Sequence, residues 1–315
     1  MRAFVVAVVA VLLVASPACA SFPGRDGRIG IFAQASCGRY AEPGDPCAAV
    51  SFAAALAVSP IGREPIALSR CPGSRCAQIG PPRYSPDGRL VAAVDGSAVV
   101  VLRSDGTQLL RIDVPAASLT GVDWLRDGRI VADGYDERSG GVARTFVIGH
   151  DSVARAVTWR PKGERAWSAR GGVAIAHPRG IYVRRRAAEP ARLVLADGDR
   201  FTYTLPDWSP DGRRLAVVRR DAATGLQAIV AVAANGGARR VVARAVTPGC
   251  AFGDVAWAPS GARIAYSVGC YDSGAIYTVR IDGAARRTIF DLHSLVGDEP
   301  LEAYLSPAIS WQPLR

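Results

Sequence analysis

The chain has 315 residues, with 38 lysines and arginines against 28 aspartates and glutamates, and its net charge is +10. Lys162 is the only lysine, and this preference for arginine, together with abundant Ala, Gly and Val, is typical of a GC-rich genome. We therefore interpret the charge as a solvated basic surface rather than a polyanion site.

The first 20 residues are typical of a secretory signal peptide. Arg2 is a short basic region, Phe4–Ala15 is apolar, and Ala18–Ala20 supplies the small residues of a cleavage site. We expect cleavage after residue 20, leaving residues 21–315 as one secreted or periplasmic domain without a transmembrane segment. The alternative is a lipoprotein acylated at Cys19, but Ser16 stands where such sites have an apolar residue.

A turn signature recurs along the chain: an aromatic residue, Ser-Pro-Asp-Gly, a basic residue, and a run of small apolar residues. Its copies begin at Tyr84, Trp124, Trp167, Trp208 and Trp257, at intervals of 40 to 49 residues. Each predicts a tight turn between strands, because Pro fixes φ, Asp bonds its neighbouring backbone and Gly accepts positive φ. Self-similarity at this period predicts a β-propeller, whereas a β-sandwich has no reason to repeat one turn.

Two further strands follow the turn and its apolar run in each unit. They are predicted at Ala98–Arg103 and Gln108–Val114, at Leu226–Ala233 and Arg239–Ala243, and at Ala275–Ile281 and Arg286–Phe290. The Asp-Gly and Asn-Gly pairs between these runs are strong hairpin signals. The sequence therefore predicts an all-β fold with four antiparallel strands per blade.

The start of the fourth unit is ambiguous, because Trp159 and Trp167 compete for it. Trp167 gives the more even spacing and places Ile181–Arg186 and Arg192–Ala196 as the last two strands of that unit. We therefore interpret Val153–Trp159 as the outer strand of the third blade.

The two ends of the mature chain complement each other. Ile309–Arg315 has an inner strand and a tryptophan but no following strand, whereas Phe22–Gln34 has the turn and following strand only. Pairing them completes a first blade with Ala48–Val58 and Pro65–Ser69, and closes a ring of six blades without exposed edges. We expect no long helix; only Leu292–Leu305 could hold a short one.

The form W-S-P-D-G-R-R-L-A-V resembles the TolB-like, or WD-like, propeller repeats of bacteria. Tyr84–Gly88 and Trp208–Gly212 match apart from Tyr for Trp, Trp257–Gly261 has Ser for Asp, and Trp167–Gly171 has lost Pro and Asp. The resemblance covers nearly the whole mature chain and implies a secreted or periplasmic six-bladed β-propeller. It implies no particular ligand, because the motif encodes a turn and a packing tryptophan.

Cysteine usage agrees with an oxidising compartment. The chain has seven cysteines, and loss of Cys19 leaves an even set. Many pairings are possible, but spacing favours structural disulfides between Cys37 and Cys47, Cys71 and Cys76, and Cys250 and Cys270. The last pair flanks a turn at equal distances, so a hairpin places its members opposite each other. Without paired Cys-x-x-Cys motifs or nearby histidines, we expect neither a metal site nor a cofactor.

The sequence contains no recognisable catalytic set, and we assign no catalytic residue. The only histidines are His150, His177 and His293, and no Gly-x-Ser-x-Gly elbow accompanies them. Five aspartates near inner strands could face the axis and act as an acid–base pair or bind a cation, although turn roles are commoner: Asp95, Asp133, Asp136, Asp254 and Asp272. A lactonase-type channel metal is disfavoured, because Asn235 is the only asparagine.

These observations favour a non-enzymatic, monomeric binding module for a protein or glycan of the cell envelope. The candidate recognition surfaces are the long insertions Ala35–Ala49, Ala245–Phe252 and Leu292–Pro307. Nucleic acid is not expected as a partner, because the arginine clusters lack interleaved aromatic residues. The alternatives are a glycan hydrolase, lyase or lactonase acting at the channel mouth, and a purely structural envelope component.

Overall fold

The fold is described from a computed structural model. The structure describes residues 22–37, 52–59, 65–72, 80–114, 118–136, 142–157, 164–170, 172–186, 189–244, 250–270, 273–292, 301–305 and 308–315. All regular structure in these ranges is β-strand. No helix in them is long and apolar enough to cross a bilayer.

The strands form six antiparallel sheets, which are the blades. Blade 1 begins with β1 (Arg25–Cys37), β2 (Phe52–Val58) and β3 (Ile66–Pro72). Blade 2 contains β4 (Arg83–Tyr84), β5 (Leu90–Asp95), β6 (Ala98–Arg103) and β7 (Gln108–Asp113). Blade 3 contains β8 (Ser118–Trp124), β9 (Ile130–Asp136), β10 (Val142–Ile148) and β11 (Ala154–Val157).

The remaining blades repeat this plan. Blade 4 contains β12 (Arg165–Trp167), β13 (Val173–His177), β14 (Gly180–Arg184) and β15 (Arg192–Ala196). Blade 5 contains β16 (Phe201–Trp208), β17 (Arg214–Asp221), β18 (Gln227–Ala233) and β19 (Arg239–Arg244). Blade 6 contains β20 (Ala251–Trp257), β21 (Arg263–Cys270), β22 (Ser273–Arg280) and β23 (Arg287–Asp291). The predicted four-stranded blades are therefore confirmed, including β11 as the outer strand of blade 3.

The last two strands, β24 (Leu301–Leu305) and β25 (Ser310–Leu314), return to blade 1. β25 pairs antiparallel with the first half of β1, from Arg25 opposite Leu314 to Gly30 opposite Ser310. The chain ends thus meet in one sheet, as their complementary sequences predicted. The joint satisfies the backbone groups that an open ring would expose at two sheet edges.

The sequence left room for a short helix at Leu292–Leu305. This expectation is wrong for Leu301–Leu305, which the structure describes as a strand. Leu301–Leu305 is β24, which pairs with the second half of β1 from Ala33 to Cys37. The reason is the length of β1, whose 13 residues extend beyond β25 and require a second partner for their backbone groups. Residues 293–300 lie outside the described ranges.

Burial runs from the axis outward within each blade. The inner strand β4 and most of β8 are buried, and the second strand β5 is buried along its middle, whereas four consecutive residues of the outer strand β7 are exposed. Apolar side chains from neighbouring blades pack between the sheets, which explains the nearly continuous apolar runs after each turn. Trp124 donates its indole N–H to the Arg83 carbonyl of blade 2, and Trp208 donates to the Ala166 carbonyl of blade 4.

The close packing between blades 1 and 2 can be tested by comparing alanine substitutions at two glycines. Gly88 and Gly261 occupy equivalent turns at φ +71° and +74°, so alanine strains both backbones alike. A Cβ on Gly88 would overlap the Pro313 carbonyl oxygen, whereas a Cβ on Gly261 meets nothing within 4 Å. We expect Gly88→Ala to lower the free energy of unfolding by about 2–4 kcal/mol and Gly261→Ala by about 1 kcal/mol. Urea unfolding followed by tryptophan fluorescence measures both, and equal losses would contradict this packing at the ring closure.

Candidate functional site

The inner strands place polar side chains around the propeller axis. Arg83, Asp123, Asp207 and Ser310 are buried, and each immediately precedes the aromatic residue of its repeat. Asp254 lies three residues before Trp257 and is also fully buried. The axis is therefore a belt of buried polar groups rather than an open water channel at these positions.

Most of these side chains connect one blade to the next by accepting a backbone N–H. Asp207 accepts from Trp257 N at 2.6 Å, and Asp254 accepts from Ile309 N at 2.9 Å. Ser310 Oγ accepts from Tyr84 N at 3.0 Å, continuing the belt from blade 1 to blade 2. Polar side chains of the inner strands thus perform a repeated structural task at successive blade junctions.

The junctions of blade 4 use related chemistry. Glu164 Oε2 accepts from Leu205 N of blade 5 at 2.7 Å, and burial, opposed by this hydrogen bond, raises the pKa of Glu164 above its ordinary value. On the other side of the blade, Arg165 forms an ion pair with Asp133 of blade 3 and donates to Thr145 Oγ1 at 3.2 Å. Hydrogen-bonding partners offset the desolvation cost of burying these groups.

The carboxyl group of Asp254 has a strongly shifted pKa. Burial raises its pKa to about 7, while the Arg83 guanidinium and the N–H groups of Ile309 and Val255 act to lower it. The Arg83 Nη1 to Asp254 Oδ2 distance is 3.9 Å, and both side chains are almost completely buried. Arg83 also donates to the Ile309 carbonyl, so blades 1, 2 and 6 meet at this group.

Of the five aspartates singled out from the sequence, Asp254 joins the belt, while Asp95 and Asp133 pair elsewhere. Asp133 lies in the ion pair with Arg165, and Asp95 pairs with Arg111 at the rim of blade 2. Asp136 lies in β9, but its side chain is not described, and Asp272 lies outside the described ranges. Within the described part of the chain, no group of three or more His, Cys, Asp or Glu side chains is arranged to hold a metal ion.

The histidines are not brought together in the described structure. His150 is exposed in a turn, and His177 closes the β13–β14 turn by accepting the Arg179 N–H on Nδ1 at 3.3 Å. His177 also packs edge-on against Tyr182, with ring centroids 5.6 Å apart. His293 lies outside the described residues. The two described histidines thus lie in or beside turns of different blades.

Cys250 and Cys270 form a disulfide at the base of the β20–β21 hairpin, with Cα atoms 4.3 Å apart. The pairing of Ala251 with Gly269 places the two cysteines opposite each other, as the spacing around the turn predicted. Cys37 and Cys71 lie in β1 and β3, but their side chains are not described. Cys47 and Cys76 fall outside the described residues, so their pairings remain predictions.

A wide depression lies on the turn face, the side of the ring that carries the turns following the inner strands. The turns of blades 2 to 6 and the end of β25 in blade 1 contribute to its wall, and its volume is about 930 Å³. Phe22 also lines it but is only 3% exposed, because its ring joins the apolar cluster that contains Trp124 and Ala169. Gly24 N donates to Pro259 O at 3.2 Å and so holds this N-terminal segment against blade 6.

Sequence reasoning missed Arg83, Asp123, Glu164 and Asp207, which lie at or beside the axis. A signal was present, because an Asp-Trp pair occurs at both Asp123 and Asp207, directly before the turn signature. The turn-face depression was also missed, since it gathers residues from all six blades that are distant in sequence. Much of its wall consists of strand-connecting turns, whose sequence pattern indicates only where strands end.

The raised pKa of Asp254 predicts a specific pH dependence of stability. Its ordinary pKa is 3.8, so between about pH 4 and pH 7 the folded chain holds a proton that the unfolded chain has lost. The contribution of this group to stability is therefore greatest in acid and is lost as pH rises toward 7, by on the order of a few kcal/mol. Since Asp254→Asn does not titrate, the stability advantage of the natural protein over this variant should shrink over that range. Urea midpoints at several pH values measure this difference.

Asp211→Asn is the matched control with the opposite sign. Burial acts to raise the pKa of Asp211, but the Ser209 hydroxyl, the Arg213 N–H and nearby arginines outweigh it and hold the pKa below its ordinary value. The advantage of the natural protein over this variant should therefore appear above about pH 4 and fade in acid. An Asp254→Asn difference that grows with pH would contradict the burial of a neutral carboxyl at the axis.

Comparison with solved structures identifies the fold. TolB from Acinetobacter baumannii aligns with a TM-score of 0.64 and 15% identity, covering 93% of this chain and 68% of that chain. A protein from Agrobacterium tumefaciens that is assigned as a TolB aligns with a TM-score of 0.59 and 15% identity, covering 91% of this chain and 100% of that chain. An oligogalacturonate lyase in complex with manganese aligns with a TM-score of 0.51 and 13% identity, covering 75% of this chain and 70% of that chain.

No protein-family model matches the sequence, and no curated protein matches it at a significant level. Identities of this size establish a shared fold and nothing finer. The chain therefore has the six-bladed, TolB-like β-propeller architecture that its turn repeats predicted.

Proposed function

We propose that the protein is a non-enzymatic binding module of the periplasm or cell exterior that recognises a protein or glycan of the cell envelope. The observation that carries this proposal is that the acids at the axis form structural hydrogen bonds between blades. Asp207 and Asp254 are 0% exposed and bond backbone N–H groups of the next blade. Acids committed in this way stabilise a rigid ring, which leaves its rims as the surfaces for recognition.

The enzymatic alternative is a glycan hydrolase or lyase acting at the channel mouth. Its specific support is that the oligogalacturonate lyase shares this fold. A fold alone does not transfer an activity, however, and a propeller glycosidase requires two carboxyl groups that can reach one substrate bond. Asp207 and Asp254 lack that access because both are enclosed between blades, so we favour the binding module.

The proposed location requires that residues 1–20 are a signal peptide that is cleaved, and that residues 21–315 form the propeller domain. The disulfide between Cys250 and Cys270 supports this location, because such bonds persist in oxidising compartments. The insertions expected to carry recognition fall largely outside the described residues. Their flanking residues, such as Cys37, Phe52 and Arg244, lie at the strand ends opposite the turn face.

Processing is tested by expressing the full chain in a bacterial host and analysing the extracted protein by mass and N-terminal sequence. We expect an N-terminus at Ser21 and no free thiols under denaturing, non-reducing conditions, because signal peptidase cuts after the small-residue motif. Cys19→Ser should leave the product unchanged, whereas Ala20→Arg should retain the precursor. A lipid-modified N-terminus that is lost in Cys19→Ser would instead support the lipoprotein alternative.

Function is tested by two measurements on the same monomeric preparation, with its mass checked by light scattering. Immobilised protein with chemical crosslinking should enrich a defined envelope component, while incubation with a panel of glycans and lactones should give no turnover. The control is the heat-unfolded protein, which loses the rims but keeps the composition and charge. Turnover, or enrichment equal to that of the unfolded control, would contradict the proposed binding function.

A further inference from the structure

The turn-face depression is formed by equivalent positions of six repeats, so each repeat can be compared with the full turn signature. In blades 2 and 5 the turn aspartate is used locally: Asp87 and Asp211 each accept a hydrogen bond from the serine two residues earlier. Each also accepts the backbone N–H two residues later, at 3.1 and 3.0 Å. In a full signature, the aspartate is therefore used to close its own turn.

Three blades have an arginine in place of a residue of the signature. Arg126 of blade 3 stands where the full signature has proline, Arg170 of blade 4 stands at the aspartate position, and Arg315 of blade 1 stands at the glycine position. Arg214 reaches the same depression from the start of β17, with its guanidinium 5.0 Å from the centre of the Trp257 ring. Four arginines thus line the depression, against a single acidic side chain from Asp211.

The turns do not need the side chains of Arg126 and Arg170. The blade 3 turn closes through Asp127, which accepts Arg129 N at 3.1 Å, and the blade 4 turn closes through Ser168 Oγ, which accepts Arg170 N at 3.1 Å. Both arginines are exposed, and neither guanidinium makes a hydrogen bond or ion pair with the part of the chain that the structure describes. Their charges are therefore available to a ligand.

The backbone of the depression offers little to an incoming peptide strand. Proline occupies the third position of the signature in four blades, at Pro86, Pro210, Pro259 and Pro313, and it has no N–H to donate. The N–H groups of Gly88, Gly212 and Gly261 already bond carbonyls within their own turns. Recognition here must therefore use guanidinium groups and apolar ring surfaces, rather than strand addition.

We propose that the turn-face depression binds an anionic oligosaccharide whose carboxylates pair with Arg126 and Arg170. A guanidinium presents a planar fork of donors that matches a carboxylate, and the proline rings offer apolar surface to the C–H faces of sugar rings. The volume of about 930 Å³ is at the upper end for small-ligand sites and accommodates several sugar units. This inference rests on the proposed binding function and names a ligand class and a face for it.

The test is direct binding of hexamannuronate to the full mature protein by calorimetry at low and at physiological salt. The variant Arg126→Gln/Arg170→Gln should weaken binding at least about tenfold, because two charge-assisted contacts are lost. The control is Arg179→Gln/Arg220→Gln, which removes the same charge from exposed arginines at the opposite face and should leave affinity within about twofold. Neutral maltohexaose should not bind, and hexaglutamate should bind more weakly than the uronate.

Equal losses of hexamannuronate affinity in the two double variants would overturn the proposed site. No hexamannuronate binding by the natural protein would also overturn it. Tighter binding of hexaglutamate than of the uronate would also overturn it, in favour of an acidic peptide. Thermal unfolding of both variants shows whether a loss reflects folding. If envelope capture persists while hexamannuronate binding is absent, the anionic-glycan site is wrong and the binding function stands; if capture also fails, the binding function itself is wrong.

Discussion

The pairing of β25 with β1 is the constraint on which the rest of the ring depends. It joins residues that are nearly 300 positions apart in sequence, from Arg25 opposite Leu314 to Gly30 opposite Ser310. Side chains of the same short strand then reach both neighbours. Gln312 donates to Gly88 O of blade 2 at 2.8 Å, and the N–H of Ile309, just before β25, bonds Asp254 of blade 6. Without this strand, blade 1 would lose its inner edge and blades 2 and 6 would lose their common contact.

The axial belt explains why a ring of small apolar strands tolerates buried acids. A buried carboxyl group without hydrogen bonds is costly, but Asp207 accepts Trp257 N and Asp254 accepts both Val255 N and Ile309 N. Those N–H groups lie in or directly before inner strands, which have a sheet partner on one side only and therefore need acceptors along the axis. The acids and the orphan N–H groups thus satisfy each other, and the blades are held in angular register by directional bonds as well as by packing.

Much of this fold could be predicted from the sequence, because a turn that requires Pro, Asp and Gly leaves a visible pattern. The four-stranded blades, the meeting of the two ends and the Cys250–Cys270 bond all follow from that pattern and its spacing. β24 was missed because its pairing depends on how far β1 extends, which is not encoded locally. The axial acids and the turn-face depression were missed for a related reason: each gathers residues from several blades, and single-blade spacing cannot reveal what meets at the axis.

Repetition also separates structural from functional side chains within one molecule. When a residue type recurs at one repeat position and bonds the same atoms each time, as Asp87 and Asp211 do, folding accounts for it. When a repeat carries another residue type and its turn still closes through other groups, as it does through Asp127 in blade 3 and Ser168 in blade 4, folding does not require the new side chain. Arg126 and Arg170 are of this second kind, and both departures add positive charge to one depression. Electrostatic repulsion among unpaired guanidinium groups costs some stability, so their convergence on one face is better explained by an anion bound there than by the folding of the ring.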